Sequence, residues 1–285
     1  MVKKAAVSVF FLLTISGGVF LALAFYVMDV VSPLRQAASL LSDDEISSQA
    51  WAVFDPETGE ILLAKNENDS LPVASVTKLF LANEILKEEN VFATTTITWS
   101  DLAAYGSAGR LVYGDVYDFY TLLFPLLLSS SNDAAAVLVR NFSGIVEQIN
   151  NKSGELSLSA HFSDGSGLSA ENIASAKALA VLSSNVWNES PQVLAITKLP
   201  YHARNEGGWQ NNNPVFTEPG YMGGKSGYTD QANHTLVVFF AEDTVLGGSK
   251  NIGYVLLGSN DLESDIKKLR KHATSKLWWY SLAAK

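Results

Sequence analysis

MGGKSGYTDQANHTLVVFFA, residues 222–241, forces a choice between two folds. Its Gly223-Gly224-Lys225-Ser226 looks like the end of a phosphate-binding loop. That loop needs a glycine five residues before Gly224, where Pro219 stands, and Gly220 is one place out of register. It also needs a helix to follow, whereas Thr235–Ala241 (TLVVFFA) is an apolar, β-branched and aromatic run that reads as a buried strand. A nucleotide-binding fold is therefore excluded. Lys225, the hydroxyl of Ser226 and the small Gly227 are left at the edge of a sheet, where an extended ligand ending in a carboxylate can lie along a strand.

Working outward, Ile252–Gly258 supplies a second strand after a Gly-Gly-Ser-Lys turn. Near the other end, Ala50–Phe54 and Glu60–Ala64 flank Asp55-Pro56-Glu57-Thr58-Gly59 and read as a β-hairpin. Between these regions, residues 76–90, 115–128, 132–142 and 171–187 carry helix formers at helical spacing. Leu262 to Leu282 sets Ile266, Leu269, Ala273, Leu277 and Tyr280 on one stripe, the pattern of an amphipathic closing helix. The expected class is α/β (α+β), one sheet assembled from both ends of the domain with a helical region inserted. No internal repeat or low-complexity tract interrupts it.

The 285 residues are 47% apolar and contain no cysteine, which excludes a disulfide scaffold, thiolate metal sites and a thiol nucleophile. Twenty basic residues against 29 acidic ones give a net charge of -9, so nucleic acid is not an expected partner. Much of the apolar excess lies in residues 1–28. After Lys3 and Lys4, Ala5 to Met28 carries no charge over 24 residues, enough to span a bilayer core of about 20 apolar residues. With basic residues before it and Asp29 after it, the chain beyond is expected outside the cytoplasm. Two readings remain: a single-pass anchor at 1–28, or a signal cleaved near Ala22-Leu23-Ala24 that leaves a secreted domain. Residues 29–48 read as a linker, and 49–285 as the working domain. Beyond Lys4, 18 basic residues face 29 acidic ones, a net of -11.

Three stretches could carry chemistry. In Pro72-Val73-Ala74-Ser75-Val76-Thr77-Lys78, a serine lies three residues before a lysine at a helix start, which stacks hydroxyl and amine on one face. A lysine lowered in pKa by burial can activate such a hydroxyl, although a capped helix would read the same way. Ser129-Ser130-Ser131-Asn132-Asp133 taken alone is equally a helix cap. Lys225-Ser226-Gly227 is the third.

Together, in this order and spacing, S-x-x-K, S-x-N and K-[ST]-G are the signature set of penicillin-binding proteins and serine β-lactamases. The flanking blocks PVASVTKLFLANEIL, GSAGRLVYGDVYDFYTLLFPLLLSSSNDAAAVL, HFSDGSGLSAENIASAKALA and MGGKSGYTDQANHTLVV resemble those of the serine-type D-Ala-D-Ala carboxypeptidases, the low-molecular-mass penicillin-binding proteins, from about residue 50 to 260. The resemblance implies a penicillin-binding-protein/β-lactamase-like transpeptidase fold, an antiparallel sheet flanked by helices with an inserted helical subdomain. It implies Ser75 as the acylated nucleophile, Lys78 as its base and Ser130 as the proton relay to the leaving D-alanine. Asn132 would hold the substrate amide; Lys225 and Ser226 would hold its carboxylate beside Gly227. Backbone N–H groups of Ser75 and Tyr228 would form the oxyanion hole. The implied partners are a peptidoglycan stem peptide ending in D-Ala-D-Ala and β-lactams as inhibitors; no cofactor is implied.

Two departures stand out. The third motif reads K-S-G where the family usually has K-T-G, which keeps the hydroxyl and loses a methyl. The sequence also lacks the β-rich C-terminal domain and amphipathic tail of many members, a role the N-terminal segment would take over. Carboxypeptidase and endopeptidase readings stay open. A β-lactamase is disfavoured by the lack of a Glu motif around DGSGLS, and a non-catalytic wall-binding protein by the intact motif residues. His161, His202, His234 and His272 form no metal motif and read as surface or packing residues. Asp164 reads as part of a structural loop, the segment around Trp209 as a border of the cleft, and Trp278, Trp279 and Tyr280 as packing or membrane-interface residues.

Overall fold

The computed structural model describes residues 46–106, 109–204, 207–243 and 248–277. The apolar segment, the linker up to residue 45, and Trp278, Trp279 and Tyr280 lie outside the described residues. Among those described, no helix is long and apolar enough to cross a membrane.

The main sheet is built from both ends of the described chain, as the hydropathy pattern predicts. Strands β1 (Ala50–Phe54) and β2 (Ile61–Lys65) form the hairpin. Three small sheets of two or three residues per strand lie between this hairpin and the late strands: β7 (Ile173–Ala174) between β3 (Leu71–Pro72) and β6 (Ala160–His161), β4 (Thr94–Thr96) with β5 (Val116–Asp118), and β8 (Tyr201–Ala203) with β9 (Gly208–Gln210). The late strands are β10 (Tyr221–Thr229), β11 (Asn233–Asp243) and β12 (Ser249–Ser259). The order is β10-β11-β12-β1-β2, antiparallel throughout, with β10 at one edge.

Seven helices complete the described residues: α1 (Thr77–Ile85), α2 (Phe119–Leu128), α3 (Asn132–Asn141), α4 (Ile145–Glu155), α5 (Ala176–Glu189), α6 (Pro191–Lys198) and α7 (Leu262–Lys276). Period-two alternation in the strands divides the core into two layers. Ala50, Ala52, Phe54, Val237, Phe239, Val255 and Leu257 face one way and join the helical region. Trp51, Val53, Leu236, Val238, Phe240, Tyr254 and Leu256 face the other way and are covered by Leu262, Ile266, Leu269, Ala273 and Leu277 of the closing segment. Most of the predicted stripe is thus buried; Tyr280 is not among the described residues. Helix α1 is buried almost all round, so it runs through the middle of the helical region.

Several boundaries differ from the sequence reading, and the helix read over 76–90 ends at Ile85. Residues 115–128 begin as a strand, since Val116–Asp118 pairs with Thr94–Thr96 before Asp118 caps α2 by accepting from Thr121 N at 2.8 Å. Ile173–Ala174 likewise pairs as a strand before Ser175 caps α5. Ile46 and Ser48, which the sequence reads as linker, are buried, and Ser47 and Ser48 donate hydroxyls to Asp265 at 2.8 and 2.7 Å. Burial alone would raise the Asp265 carboxyl, but bonds from Ser48, Ser259 and Ser47 hold it below the usual carboxylate range.

Candidate active site

Ser75 lies in a 3-10 turn, Ala74–Val76, that feeds directly into α1. Ala74 takes a left-handed φ of +50°, uncommon for a residue with a Cβ. The turn leaves the Ser75 side chain partly exposed while Lys78, one helical turn on, is fully buried. Lys78 Nζ lies 2.9 Å from Ser75 Oγ, 2.8 Å from Asn132 Oδ1 and 2.5 Å from the Ser166 carbonyl. Asn132 is oriented by its other end, where Nδ2 donates to the Tyr105 carbonyl at 2.6 Å.

Electrostatics sets the charge of this amine. Burial lowers the Lys78 pKa well below its ordinary value and the nearby positive Lys225 lowers it further, against a smaller opposite effect of Asp164. A neutral amine has two N–H donors and one lone pair. Ser166 O and Asn132 Oδ1 can only accept, so they take both donors. The lone pair is left facing the Ser75 hydroxyl, the arrangement in which an amine can remove its proton.

Lys225, the second buried amine, is lowered by burial to about 7. Its Nζ donates to the Ser226 carbonyl at 2.6 Å on β10. This edge strand packs backbone to backbone on the nucleophile turn: a Cβ on Gly227 would stand 2.7 Å from Ser75 N. A Cβ on Gly167, at φ +82°, would overlap the Ala74 carbonyl, so a second glycine is needed on the opposite approach. Thr235 on β11 donates to Val73 O at 2.8 Å and ties the sheet to the same turn.

Ser75, Lys78 and Asn132 are therefore in direct contact, and Gly227 and Lys225 reach them through the strand and the electric field. Ser130 is nearly buried between α2 and α3 at φ +57°. Its neighbour Ser131 is the α3 cap, accepting from Ala134 N at 2.9 Å, so the serine run serves both a helix end and a site position. Ser226 is half-buried, and the Tyr228 side chain is exposed at the rim.

Asp164 holds a loop rather than facing the nucleophile. Its carboxylate accepts from Ser166 N, Ser166 Oγ and Gly167 N on one oxygen and from Ser169 N and Asn172 Nδ2 on the other. Burial opposes these bonds, yet together they keep its pKa below the ordinary value. Trp209 is buried; its indole donates to Gly109 O at 2.6 Å and so holds the segment that reaches Asn132 through Tyr105. His202 stacks between Phe124 and Trp209, and His272 packs edge-on to Trp51. Among the described residues no group of three His, Cys, Asp or Glu is placed to hold a metal ion.

The sequence reading missed Ser166 and Tyr105, which act through backbone carbonyls, and Gly167 and Thr235, which set close approaches. The Asp164-Gly165-Ser166-Gly167 run does signal a tight turn, but nothing in it says where the turn docks.

The class this geometry fits is an active-serine enzyme, with a buried lysine rather than a histidine against the serine hydroxyl. The comparisons agree. Residues 36–253 match the family model described as D-alanyl-D-alanine carboxypeptidase, and the chain belongs to that family. The D-alanyl-D-alanine carboxypeptidase DacB2 of Mycobacterium tuberculosis is 30% identical over 201 residues, covering 67% of this chain and 69% of the relative. A D-alanyl-D-alanine endopeptidase of Pseudomonas aeruginosa is 26% identical over 220 residues, covering 70% and 69%. The crystal structure of a D-alanyl-D-alanine carboxypeptidase from Mycobacterium tuberculosis superposes with a TM-score of 0.72 at 27% identity, covering 80% of this chain and 90% of that one. The protein is a serine-type DD-peptidase with the penicillin-binding-protein fold.

Proposed function

We propose that this chain removes the terminal D-alanine from peptidoglycan stem peptides through an acyl-enzyme on Ser75. The observation that carries the reading is the Lys78 amine, buried and 2.9 Å from Ser75 Oγ with both donors engaged elsewhere. Lys78 takes the Ser75 proton as Oγ attacks the carbonyl of the penultimate D-alanine. Backbone N–H groups of Ser75 and Tyr228 receive the oxyanion; Gly167 and Gly227 keep space open beside Ser75 N. Ser130 passes a proton to the nitrogen of the leaving D-alanine, and Asn132 holds the amide of the acyl part. Lys225 and Ser226 bind the terminal carboxylate, while Gly227 lets the strand come close. Water then hydrolyses the ester and returns Ser75.

A β-lactam presents the same pairing of reactive amide and carboxylate, so it acylates Ser75 and leaves slowly, which makes it an inhibitor. A DD-endopeptidase uses the same steps on a crosslink, a reading favoured by the Pseudomonas relative's name. Mass spectrometry separates them. Loss of one D-alanine from a stem pentapeptide supports the carboxypeptidase; cleavage of crosslinked dimers with pentapeptide left intact supports the endopeptidase.

Residues 1–28 act as a single-pass anchor with the catalytic domain outside the cytoplasm, supported by the 24 uncharged residues after Lys3 and Lys4. Carbonate extraction of membranes tests this. An anchored chain stays in the pellet, and a soluble product starting after Ala24 would show cleavage instead.

A further inference from the structure

We propose that an exposed aromatic face centred on Trp99 and Tyr113 binds the glycan strand to which the stem peptide is attached; the proposal rests on the peptidase reading above. Among the described residues, six of the eleven exposed large apolar side chains fall in one stretch: Phe92, Trp99, Tyr105, Val112, Tyr113 and Val116. Trp99 and Tyr113 stack at 4.4 Å with their planes 11° apart, yet remain 69% and 53% exposed. Clusters of this kind on a protein surface mark an interaction site.

The stretch that carries these side chains runs to the catalytic cleft. Tyr105, 86% exposed, belongs to the same stretch, and its carbonyl fixes Asn132. A bidentate pair from Arg140 on α3 to Asp101, at 2.8 and 2.9 Å, locks the stretch to the helix that begins at Asn132. Five residues, including the 3-10 turn Asp101–Ala103, separate Trp99 from Tyr105, a span of at most about 20 Å. Four extended stem residues cover about 14 Å. The two lengths are comparable, so a glycan carrying a stem peptide engaged at Ser75 can reach the stacked pair if the peptide leaves the cleft on the Tyr105 side.

The local chemistry suits a sugar. Pyranose C–H groups rest on the negative face of an aromatic ring, and Trp and Tyr add polar edges for hydroxyls. Thr94, Thr96 and Ser100, in the same stretch, are exposed hydroxyl-bearing residues. Asp101 and Asp115 are paired with Arg140 and Arg204, leaving the face with little net negative charge. The net charge of -11 beyond Lys4 opposes docking of this face on anionic lipid.

The test uses the full chain with two probes: peptide-free glycan chains prepared from peptidoglycan by amidase digestion, and pentapeptide presented either free or attached to glycan. Binding of the peptide-free chains is expected to weaken at least tenfold in Trp99→Ala and in Tyr113→Ala, and to be largely kept in Trp99→Phe. The ratio of kcat/KM for glycan-attached to free pentapeptide is expected to drop by a similar factor in the alanine variants. Retained penicillin labelling in those variants reports an intact fold. No glycan binding by the wild type, or a ratio unmoved by both alanine variants, would overturn the proposal. So would Trp99-dependent binding to anionic vesicles or Trp99-dependent dimerisation without an effect on glycan. An enzyme inactive on free pentapeptide would count against the peptidase reading, whereas glycan binding reads the aromatic face directly.

Discussion

At the scale of single residues, the proposed mechanism depends on two buried lysines in different charge states. In it Lys78 works when neutral, and Lys225 binds a carboxylate when charged. Lys78 is lowered by burial and then by Lys225; Lys225 is lowered by burial to about 7. The pH profile of kcat/KM should therefore rise on the acid side, far below the ordinary lysine range, and fall as pH passes about 7. These limbs belong to the coupled pair. Lys225→Arg should move the falling limb to higher pH, which steady-state kinetics across pH 5–10 would reveal. Stability follows with a definite sign. Between about 7 and 10.5 the unfolded chain holds the Lys225 proton that the folded chain has released, so stability rises with pH across that window. Lys225→Met should be inactive yet melt several degrees higher at pH 7, because no buried amine opposes folding. These side chains were legible in the sequence since the reaction needs their functional groups at fixed spacings. Ser166 and Tyr105 were not, because any residue supplies a carbonyl.

At the scale of elements, the site is an edge strand pressed on a turn. Gly227→Ala places a methyl 2.7 Å from Ser75 N and moves β10 away. Acylation by a fluorescent penicillin should slow by about 100-fold or more, the effect of losing one oxyanion donor, while the melting temperature changes little. A variant that labels at the wild-type rate would show that the strand is not held there. The hairpin, the late strands and the closing stripe were legible because each declares itself by local periodicity. The ladders at Val116–Asp118 and Ile173–Ala174 were read as helix because their partners, Thr94–Thr96 and Leu71–Pro72, are distant in sequence. Three residues are too few to show a period of two.

At the scale of the whole molecule, one antiparallel sheet separates two apolar layers, and the catalytic residues lie where the helical layer meets the β10 edge. Helix α7 covers the opposite face. Leu269, fully buried there, should cost about 2–5 kcal/mol when changed to alanine, read as a lower urea midpoint. Penicillin labelling of the folded fraction should survive, since no site residue is on that face. The charge balance also has a global side: beyond Lys4 the protein is strongly acidic, while protonated Lys225 supplies a local positive charge for a carboxylate. The central claim is that Ser75, activated by Lys78, forms the acyl-enzyme. Intact-mass measurement after exposure to benzylpenicillin tests it most directly. The wild type should gain the mass of one penicilloyl group and Ser75→Ala none; an adduct that persists in Ser75→Ala, or a wild type that never gains one, would contradict the account.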